Sequence, residues 1–321
     1  TLYCGICHSD IHQARSDWRE ETYPIVPGHE IVGEVVQVGS GVTRFKVGDI
    51  AGVGCMVNAC RHCEYCENDQ EQYCMEGRVL TYSDKDLYHD NEITRGGYST
   101  NMVVDESFAI RVPKDAPLEK VGPLMCAGIT TWSPIMQCGI KAGDKVGVAG
   151  FGGLGHMAVQ YLVSLGAEVT VFDITEEKRA DALRLGAKRY VNVTREEEMQ
   201  GLDNTLRFIL STIPASYDPM MYINILKVGG TLAVVGMPAV KDAPQINITA
   251  LQNRYLTTSI IGGIKETQEV VDYSVAHGIY PETVVIPADA SAIDKAYRDV
   301  VDGKVKFRYV IDLKTIKTEK Q

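Results

Sequence analysis

The spacing of apolar and polar residues changes part-way along the chain. Up to about residue 126, apolar residues come in short runs separated by Gly, Pro and Asp, such as Ile31 to Val38 and Asn101 to Val104, which predicts short β-strands. From about residue 127, apolar runs of strand length alternate with longer stretches of helical spacing. We therefore expect a small barrel-like, β-rich part followed by an α/β part with a doubly wound parallel sheet.

The α/β part carries the clearest individual elements. Strands are predicted at Val146 to Ala149, Glu168 to Phe172, Phe208 to Ser211 and Thr231 to Val235, and helices at His156 to Leu165 and Glu176 to Leu185. A strand is also predicted at Thr1 to Tyr3. The acidic run Glu196 to Glu198 is expected to be the solvated face of a helix.

Length and charge narrow the class of protein. A chain of 321 residues is longer than one hydrophobic core usually serves, so two domains are expected. The formal net charge of −10 provides no basic face for a polyanion, which argues against nucleic acid. No apolar run reaches the roughly 18 residues that cross a bilayer, so no membrane partner is expected. No charged-then-apolar leader opens the chain, and the cytoplasm is the expected location.

A glycine-rich turn follows the first strand of the α/β part, with the sequence Gly150-Phe151-Gly152-Gly153-Leu154-Gly155. Strand, glycine turn and helix in this order are typical of dinucleotide binding. Gly150 would permit the tight turn, Gly152 the approach of a pyrophosphate, and Gly155 close packing of helix and strand. Asp173 ends the next strand, where an acid binds the ribose hydroxyls of NAD. The alternative is an ordinary glycine turn beside a surface acid.

Four cysteines lie close together in the first part of the chain, at positions Cys60, Cys63, Cys66 and Cys74. The spacing Cys-x2-Cys-x2-Cys-x7-Cys can place four thiolates tetrahedrally around one Zn²⁺ and predicts a closed structural site. Two disulfides are an alternative that would need an oxidising compartment. An iron–sulfur cluster is less consistent, because its cysteine run closes with a three-residue gap and a proline, whereas Met75 follows the last cysteine here.

A second metal site is suggested by Cys7 and His29, which lie in two short polar motifs. A zinc ion that keeps one position open needs a third protein ligand, and Cys126 is the best-placed candidate. Taken alone, Cys126 would more often be a small buried apolar residue. The other three cysteines lack such surroundings and are interpreted as core thiols, at Cys4, Cys55 and Cys138.

Taken in order, these motifs resemble the zinc-dependent medium-chain alcohol dehydrogenases. The likeness is greatest to the cinnamyl alcohol dehydrogenase branch, including its bacterial broad-range aldehyde reductases, and it covers nearly the whole chain. The segments that carry it are CGICHSDIH (Cys4 to His12), PGHEIVGEV (Pro27 to Val35), the four-cysteine segment, GGYS (Gly96 to Ser99), PLMCAGITTWSP (Pro123 to Pro134), GFGGLGH (Gly150 to His156) and IGGIKET (Ile261 to Thr267).

The resemblance implies two zinc ions. Cys7, His29 and Cys126 would be the ligands of a catalytic zinc, and Glu30 would be a transient ligand that exchanges with water. The four clustered cysteines would hold a structural zinc. As a Lewis acid, the catalytic zinc would lower the pKa of an alcohol and so favour hydride transfer.

The resemblance also implies a proton relay and a cofactor site. Ser9 and His12 would carry the alcohol proton towards solvent, with a solvated surface imidazole as the alternative for His12. His8 could contact a phosphate or point away from the site. The residues expected at the cofactor are Gly150, Gly152, Gly153, Leu154, Gly155, Asp173, Lys178 and Thr130.

Two departures from the cinnamyl branch concern the cofactor and the substrate. Members that use NADP carry a small residue and a lysine where this chain has Asp173 and Glu177, so NAD is favoured. Lys178 and Arg179 could nevertheless supply a cation for a 2′-phosphate. Leu80 is expected to line the substrate pocket in place of an aromatic residue, which widens the choice of aldehydes.

The family would divide the chain into a GroES-like catalytic domain, 1–126 with 264–321, and a Rossmann domain, 127–263. The family also places about thirty residues before this start, and an N-terminal β-segment is expected to be missing. A homodimer or homotetramer acting on a small alcohol or aldehyde is expected. Within the fold the rival function is a polyol or sugar dehydrogenase. From another class the rival is a non-catalytic nucleotide-binding redox sensor or structural protein, which would have no reason to keep the catalytic ligands.

Overall fold

The computed structural model describes residues 1–242 and 245–316. They divide into two compact units, one formed by Thr1–Ile129 with the residues from Ile261 onward, and the other by Thr130–Ile260. The first unit ends at residue 129, where 126 was expected, and resumes at residue 261, where 264 was expected.

Fourteen strands are present among the described residues. They are β1 (Tyr3–Gly5), β2 (Ile31–Glu34), β3 (Ile50–Val53), β4 (Met56–Asn58), β5 (Val79–Leu80), β6 (Ala109–Val112), β7 (Lys145–Ala149), β8 (Glu168–Asp173), β9 (Arg189–Asn192), β10 (Leu206–Ser211), β11 (Leu226–Val234), β12 (Tyr255–Thr258), β13 (Thr283–Pro287) and β14 (Arg308–Asp312).

The same residues form ten α-helices and six short 3₁₀ turns. The helices are α1 (His8–Ala14), α2 (Glu64–Glu67), α3 (Leu118–Val121), α4 (Ala127–Gln137), α5 (Gly155–Ser164), α6 (Arg179–Arg184), α7 (Glu196–Met199), α8 (Met220–Ile223), α9 (Ile264–His277) and α10 (Ala290–Val301). The 3₁₀ turns are Glu71–Tyr73, Glu106–Phe108, Gly122–Met125, Val240–Asp242, Ile248–Leu251 and Leu313–Thr315.

The first unit is built on a six-stranded sheet with the order β13-β14-β1-β2-β3-β6. Its pairs are antiparallel except β13 with β14, and β1 lies between β2 and β14. Ile6, Ile31 and Ile311 are buried together in the core of this unit. The last strand of the described residues, β14, is therefore hydrogen-bonded to the first, and it brings residues near position 308 beside those near position 6.

The second unit is a six-stranded, fully parallel sheet with the order β9-β8-β7-β10-β11-β12. Its central strands read as continuous apolar runs because helices cover a parallel sheet on both faces. In β7, Val146, Val148 and Ala149 are completely buried. The strand order reverses between β7 and β10, and α/β sheets bind ligands at such a reversal, outside the carboxyl ends of the strands. The predicted fold class is confirmed.

Several local predictions were wrong in detail. The strand predicted at Ile31 to Val38 ends at Glu34, and Val36 is 72% exposed. The segment Asn101 to Val104 alternates in burial but is not a strand. Alternation shows which face each side chain lies on, whereas a strand also needs backbone hydrogen bonds to a neighbouring strand. Cys55 and Cys138 are only partly buried, so of the three thiols interpreted as core residues only Cys4 lies fully inside.

The acidic run of α7 is only partly a solvated face. Glu196 and Glu197 are exposed as expected. Glu198 instead turns inward, where its carboxylate accepts hydrogen bonds from the Asn192 N–H at 2.8 Å and from the Arg179 guanidinium at 2.9 Å. Within residues 1–242 and 245–316, no helix combines the length and apolar character needed to cross a bilayer.

Candidate functional site

Four potential metal ligands meet inside the first unit. Cys7 lies between β1 and α1, His29 and Glu30 directly precede β2, and Cys126 directly precedes α4. One ligand atom from each lies within 4.8 Å of the others. The Cys126 Sγ is 3.9 Å from the Cys7 Sγ and 3.3 Å from the His29 Nε2. The fold thus brings together the residues that the sequence suggested for a catalytic metal.

Asp10 organises this cluster and was missed by the sequence analysis. Its carboxylate is completely buried and accepts hydrogen bonds from the Cys7 N–H at 2.9 Å and the Gly28 N–H at 3.1 Å. Its Oδ1 lies 3.2 Å from the His29 Nδ1. Because a carboxylate only accepts, the His29 Nδ1 carries a proton that it donates to Asp10, and Nε2 is the ring nitrogen that faces Cys126. An acid three residues after Cys7, at the first turn of α1, was the available signal.

The titratable groups of the cluster shift one another's pKa values. The hydrogen bond from the Cys126 thiol lowers the pKa of Cys7 well below its usual value, although burial opposes it. Burial acts to lower the pKa of His29, but Asp10, Cys55 and Cys7 together hold that pKa well above the usual value. Burial raises the pKa of Glu30 to about 8. Two thiols, an imidazole and a carboxyl are a donor set that suits zinc.

Glu30 is held next to a second residue that the sequence analysis did not find, Arg308 of β14. Neither carboxylate oxygen of Glu30 has a hydrogen-bond partner among the described residues, and the Arg308 Nη1 approaches Oε1 only to 3.5 Å. A Cβ on Gly5 would overlap the Glu30 Oε2, so the glycine leaves room for the carboxylate. Arg308 also donates to the Ile6 carbonyl at 3.1 Å. Nothing local in the sequence pointed to it, because it lies 302 residues from Ile6.

The two residues predicted for the proton relay lie on α1. The Ser9 Oγ is 3.6 Å from the Cys7 Sγ. His12 is one turn further along the helix, where its Nδ1 lies 2.8 Å from the Asp17 Oδ2 and its ring lies against Trp18. The His12 side chain is only 13% exposed, so it is not a solvated surface imidazole. Its Nε2 has no hydrogen-bond partner among the described residues.

The four clustered cysteines also converge in the first unit, around α2. Their sulfur atoms all lie within 4.8 Å of one another. The Cys60 and Cys66 sulfurs are 3.8 Å apart. Backbone N–H groups of Cys66 and Met75 lower the pKa of the Cys63 thiol to about 6. A closed set of four thiols is the donor set of a structural zinc site.

A small cavity lies next to Met125, the residue before Cys126. Its lining includes Cys55, Met125 and Ile129, together with Gly262 and Ile264. Cys55 donates to the Met125 carbonyl at 3.8 Å, directly before Cys126 in the chain. Leu80, expected to line the substrate pocket, is half-buried in β5 opposite Met56 and is not in the lining of this cavity.

The glycine turn follows β7 in the second unit. Gly150 has φ of 86°, in the left-handed region that favours glycine, and a Cβ on Gly155 would overlap the Gly150 carbonyl oxygen. A Cβ on Gly152 would meet nothing within 4 Å, so the turn is open on that side. Gly153 and Leu154 complete the turn, and α5 begins at Gly155. Thr130, also expected at the cofactor, is buried on α4.

Asp173 ends β8 next to the turn and is tied to it. Its Oδ2 accepts from the Phe151 N–H at 2.7 Å, and its Oδ1 accepts from the N–H and hydroxyl of Thr175, both at 3.0 Å. The Lys178 Nζ lies 3.5 Å from Oδ2. Arg179, the other cation considered for a phosphate, is paired instead with Glu176 and Glu198.

Comparison with known proteins places two family models on the chain. Residues 1–114 match the model described as alcohol dehydrogenase GroES-like domain, and residues 153–276 match the model described as zinc-binding dehydrogenase. A mannitol dehydrogenase of Petroselinum crispum is 44% identical over 321 residues, which cover 99% of this chain and 94% of that protein. Cinnamyl alcohol dehydrogenase 2 of Rauvolfia serpentina is 44% identical over 315 residues, 97% of this chain and 86% of that protein.

Among solved structures, the chain is similar to a crystal structure of CAD from Helicobacter pylori complexed with NADP(H). The two share 52% sequence identity with a TM-score of 0.93. The likeness covers 98% of this chain and 90% of that one.

Proposed function

Because the chain belongs to the zinc-binding alcohol dehydrogenase family and is an oxidoreductase of alcohols and aldehydes, we propose that Cys7, His29 and Cys126 hold its catalytic zinc. The observation that carries this proposal is the convergence of these three side chains with Glu30 inside 4.8 Å. Glu30 is proposed as the transient fourth ligand, since both its buried oxygens lack hydrogen-bond partners among the described residues. The four-cysteine cluster is proposed to hold a structural zinc, and its thiols suit a reducing compartment, the cytoplasm.

The chemistry divides between the bound groups and the chain. A zinc ion held by these ligands would supply Lewis acidity that favours loss of the alcohol proton, and a bound nicotinamide would supply the hydride acceptor. Asp10 fixes the orientation of His29 and, through the Cys7 N–H, the entry to α1. Arg308 places a positive charge 3.5 Å from the Glu30 Oε1. The chain therefore contributes a site whose ligands are oriented before any substrate arrives.

The alcohol proton must leave a buried site, and Ser9 with His12 is proposed as its exit. Ser9 lies beside the ligand Cys7, and His12 follows three residues later on the same face of α1. Asp17 accepts from the His12 Nδ1 and leaves Nε2 as the basic atom. A neutral Nε2 can then take up the proton that Ser9 passes on.

The His12→Ala variant should slow alcohol oxidation, most strongly at low pH. There the solvent contains few bases to accept the proton, and the loss should approach about 10²-fold, the lower end of general acid–base effects. The pH–rate profile of kcat measures this, and small added bases should restore part of the rate. Ser9→Ala should be slower still, because the relay begins there. His277→Ala, an exposed histidine on α9, is the control, and a His12 variant with an unchanged profile would contradict the relay.

Primary alcohols and aldehydes of aromatic, allylic or aliphatic kinds are proposed as substrates. The alcohol dehydrogenase and zinc-binding dehydrogenase family models and a relative named cinnamyl alcohol dehydrogenase support these substrates. Because one relative is named mannitol dehydrogenase, a polyol is the second candidate substrate. Assays with cinnamyl, benzyl and aliphatic aldehydes, their alcohols and mannitol test the proposal. Activity on mannitol alone, or on none of these compounds, would overturn it.

NAD is proposed as the preferred cofactor, on the strength of Asp173. This carboxylate is anchored at the carboxyl end of β8 beside the glycine turn, where ribose hydroxyls bind in this fold. A 2′-phosphate there would be repelled. Lys178 already pairs with Asp173 and Arg179 with two glutamates, so neither cation is unpaired in the described structure. The Helicobacter pylori structure holds NADP(H), so the preference requires direct measurement.

The double variant Asp173→Ser with Glu177→Lys should reverse the cofactor preference. The change removes a repulsion and adds a partner for the phosphate, together about 2–4 kcal/mol. The ratio of kcat/KM with NADH to kcat/KM with NADPH measures this preference. Losing the hydrogen bond from the Phe151 N–H to Asp173 should affect the binding of both cofactors, so its effect cancels in the ratio. Glu168→Ser, which removes an acid at the other end of β8, should leave the ratio unchanged. A wild-type preference for NADPH would contradict the assignment.

A homodimer is proposed, formed through β12, with a homotetramer as the larger alternative. Among the described residues β12 is one of the two edge strands of the parallel sheet, and an edge strand can pair with a strand of another chain. Tyr255 on this strand is 56% exposed. Sedimentation equilibrium should give at least twice the chain mass, and a single-chain mass would contradict the proposal.

A further inference from the structure

A third group of potential metal ligands lies beside the four-cysteine cluster and shares Cys60 with it. One ligand atom each from Cys60, His62 and Glu76 lies within 4.8 Å of the others. Cys60 is half-buried, whereas the side chains of His62 and Glu76 are 68% and 51% exposed. The group therefore faces solvent at a sulfur that also belongs to the inner cluster.

The hydrogen bonding of His62 prepares it as a ligand. Its Nδ1 lies 2.7 Å from the Cys60 carbonyl oxygen. A carbonyl only accepts, so the Nδ1 carries the proton and donates it. The lone pair of neutral His62 is then on Nε2. Metal-binding histidines usually donate the other ring N–H to a carbonyl or carboxylate in this way, because the bond fixes both the tautomer and the ring orientation.

Glu76 faces that lone pair. Its Oε1 lies 2.7 Å from the His62 Nε2, so two Lewis bases point at one position and share a cation there, either a proton or a metal ion. Around a tetrahedral zinc the two atoms would be about 3.3 Å apart, given zinc–ligand distances near 2.0–2.1 Å. The exposed side chain of Glu76 can move by that small difference.

The neighbouring cation Arg61 does not occupy the position. Arg61, between Cys60 and His62 in the chain, directs its guanidinium to the Asn58 Oδ1 at 2.8 Å and the Asp105 Oδ2 at 3.1 Å. The Cys60 sulfur retains lone pairs after binding one metal ion, so it can bridge to a second. Thiolate, imidazole and carboxylate together suit borderline-soft divalent ions such as zinc and cobalt.

We propose that Cys60, His62 and Glu76 form an exchangeable third site for a borderline-soft divalent metal ion, bridged through Cys60 to the four-cysteine cluster. The proposal rests on a zinc ion being bound by that cluster. Binding replaces the proton between His62 and Glu76 with the metal ion and releases that proton to solvent. Because two of the three ligands are exposed and water completes the coordination, the ion exchanges with solution more readily than the enclosed zinc.

The test titrates the enzyme with Co²⁺ after elemental analysis has established two zinc ions per chain. Cobalt binds such sites less tightly than zinc, so it should fill the third site without displacing the others, and a zinc indicator checks this. One equivalent of Co²⁺ should bind and produce a thiolate-to-cobalt absorption band. His62→Ala and Glu76→Gln should each weaken Co²⁺ binding at least about tenfold. Losing a residue that only hydrogen-bonds to a metal ligand already has an effect of this size.

The matched control is His277→Ala. His277 is also exposed, and its Nδ1 lies 2.8 Å from the Tyr273 carbonyl, but it belongs to none of the ligand groups found among the described residues. This variant should bind Co²⁺ as the wild type does. No cobalt binding, binding that survives in His62→Ala, or an equal loss in His277→Ala would each overturn the third site. If Cys63→Ser contained as much zinc as the wild type, the four-cysteine cluster would hold no zinc, and the bridged third site would fall with it.

Discussion

The Cys126→Ser variant should contain one zinc ion per chain instead of two and lose at least about 10³-fold in kcat/KM. The Cys126 sulfur completes a set with Cys7 and His29, and a serine hydroxyl is not ionised near neutral pH. Lewis acidity is worth several kcal/mol to the reaction, and each 1.4 kcal/mol is a factor of ten in rate. Elemental analysis and steady-state kinetics on the same preparation measure both effects.

Cys138→Ser is the matched control, because Cys138 directly follows α4 whereas Cys126 directly precedes it. Cys138 belongs to none of the ligand groups among the described residues, so this variant should keep two zinc ions and full activity. A Cys126 variant that kept two zinc ions and lost no activity would show that Cys126 is a core thiol and not a ligand.

The Cys63→Ser variant should lose more than about 4 kcal/mol in the free energy of unfolding, the range that accompanies loss of a structural metal. Its sulfur lies in a closed set of four, and such a zinc contributes folding energy and no chemistry. Molecules that remain folded should therefore turn over alcohol at the wild-type rate. Guanidinium unfolding and activity per folded molecule give the two readouts.

Cys138→Ser also serves as the control for stability, since it replaces a partly buried thiol outside both clusters. It should change the free energy of unfolding by much less than Cys63→Ser. If Cys63→Ser abolished catalysis without lowering stability, the division between a structural and a catalytic zinc would be wrong.

Local patterns predicted the second unit well. Continuous apolar runs separated by helical stretches located β7, β8 and β10 to within one or two residues at each end, and the glycine turn lies where the strand order reverses. The local predictions that failed concern strand pairing or side-chain burial that depends on contacts with other segments of the fold. Asn101 to Val104 has the alternation of a strand but forms none, and Glu198 leaves the solvated face because Arg179 and the Asn192 N–H attract it.

The sequence by itself determined the chemistry available at each site. Local sequence motifs were sufficient to predict this chemistry, because groups a few bonds apart have few possible arrangements. The motifs are four cysteines within one short segment, a glycine turn after an apolar strand, and the types of residue at positions 7, 29 and 126. The family likeness of these motifs was confirmed by comparison with known proteins.

Only the tertiary structure decided which distant groups meet. Cys126 lies 3.9 Å from Cys7 across 119 residues of chain. Arg308 reaches Glu30 because β14 pairs with β1, and Asp10 receives both Gly28 and His29 from a segment some eighteen residues away. Spacing along the chain cannot specify such contacts, because they form only when sheet pairing and burial of the apolar core bring remote segments together.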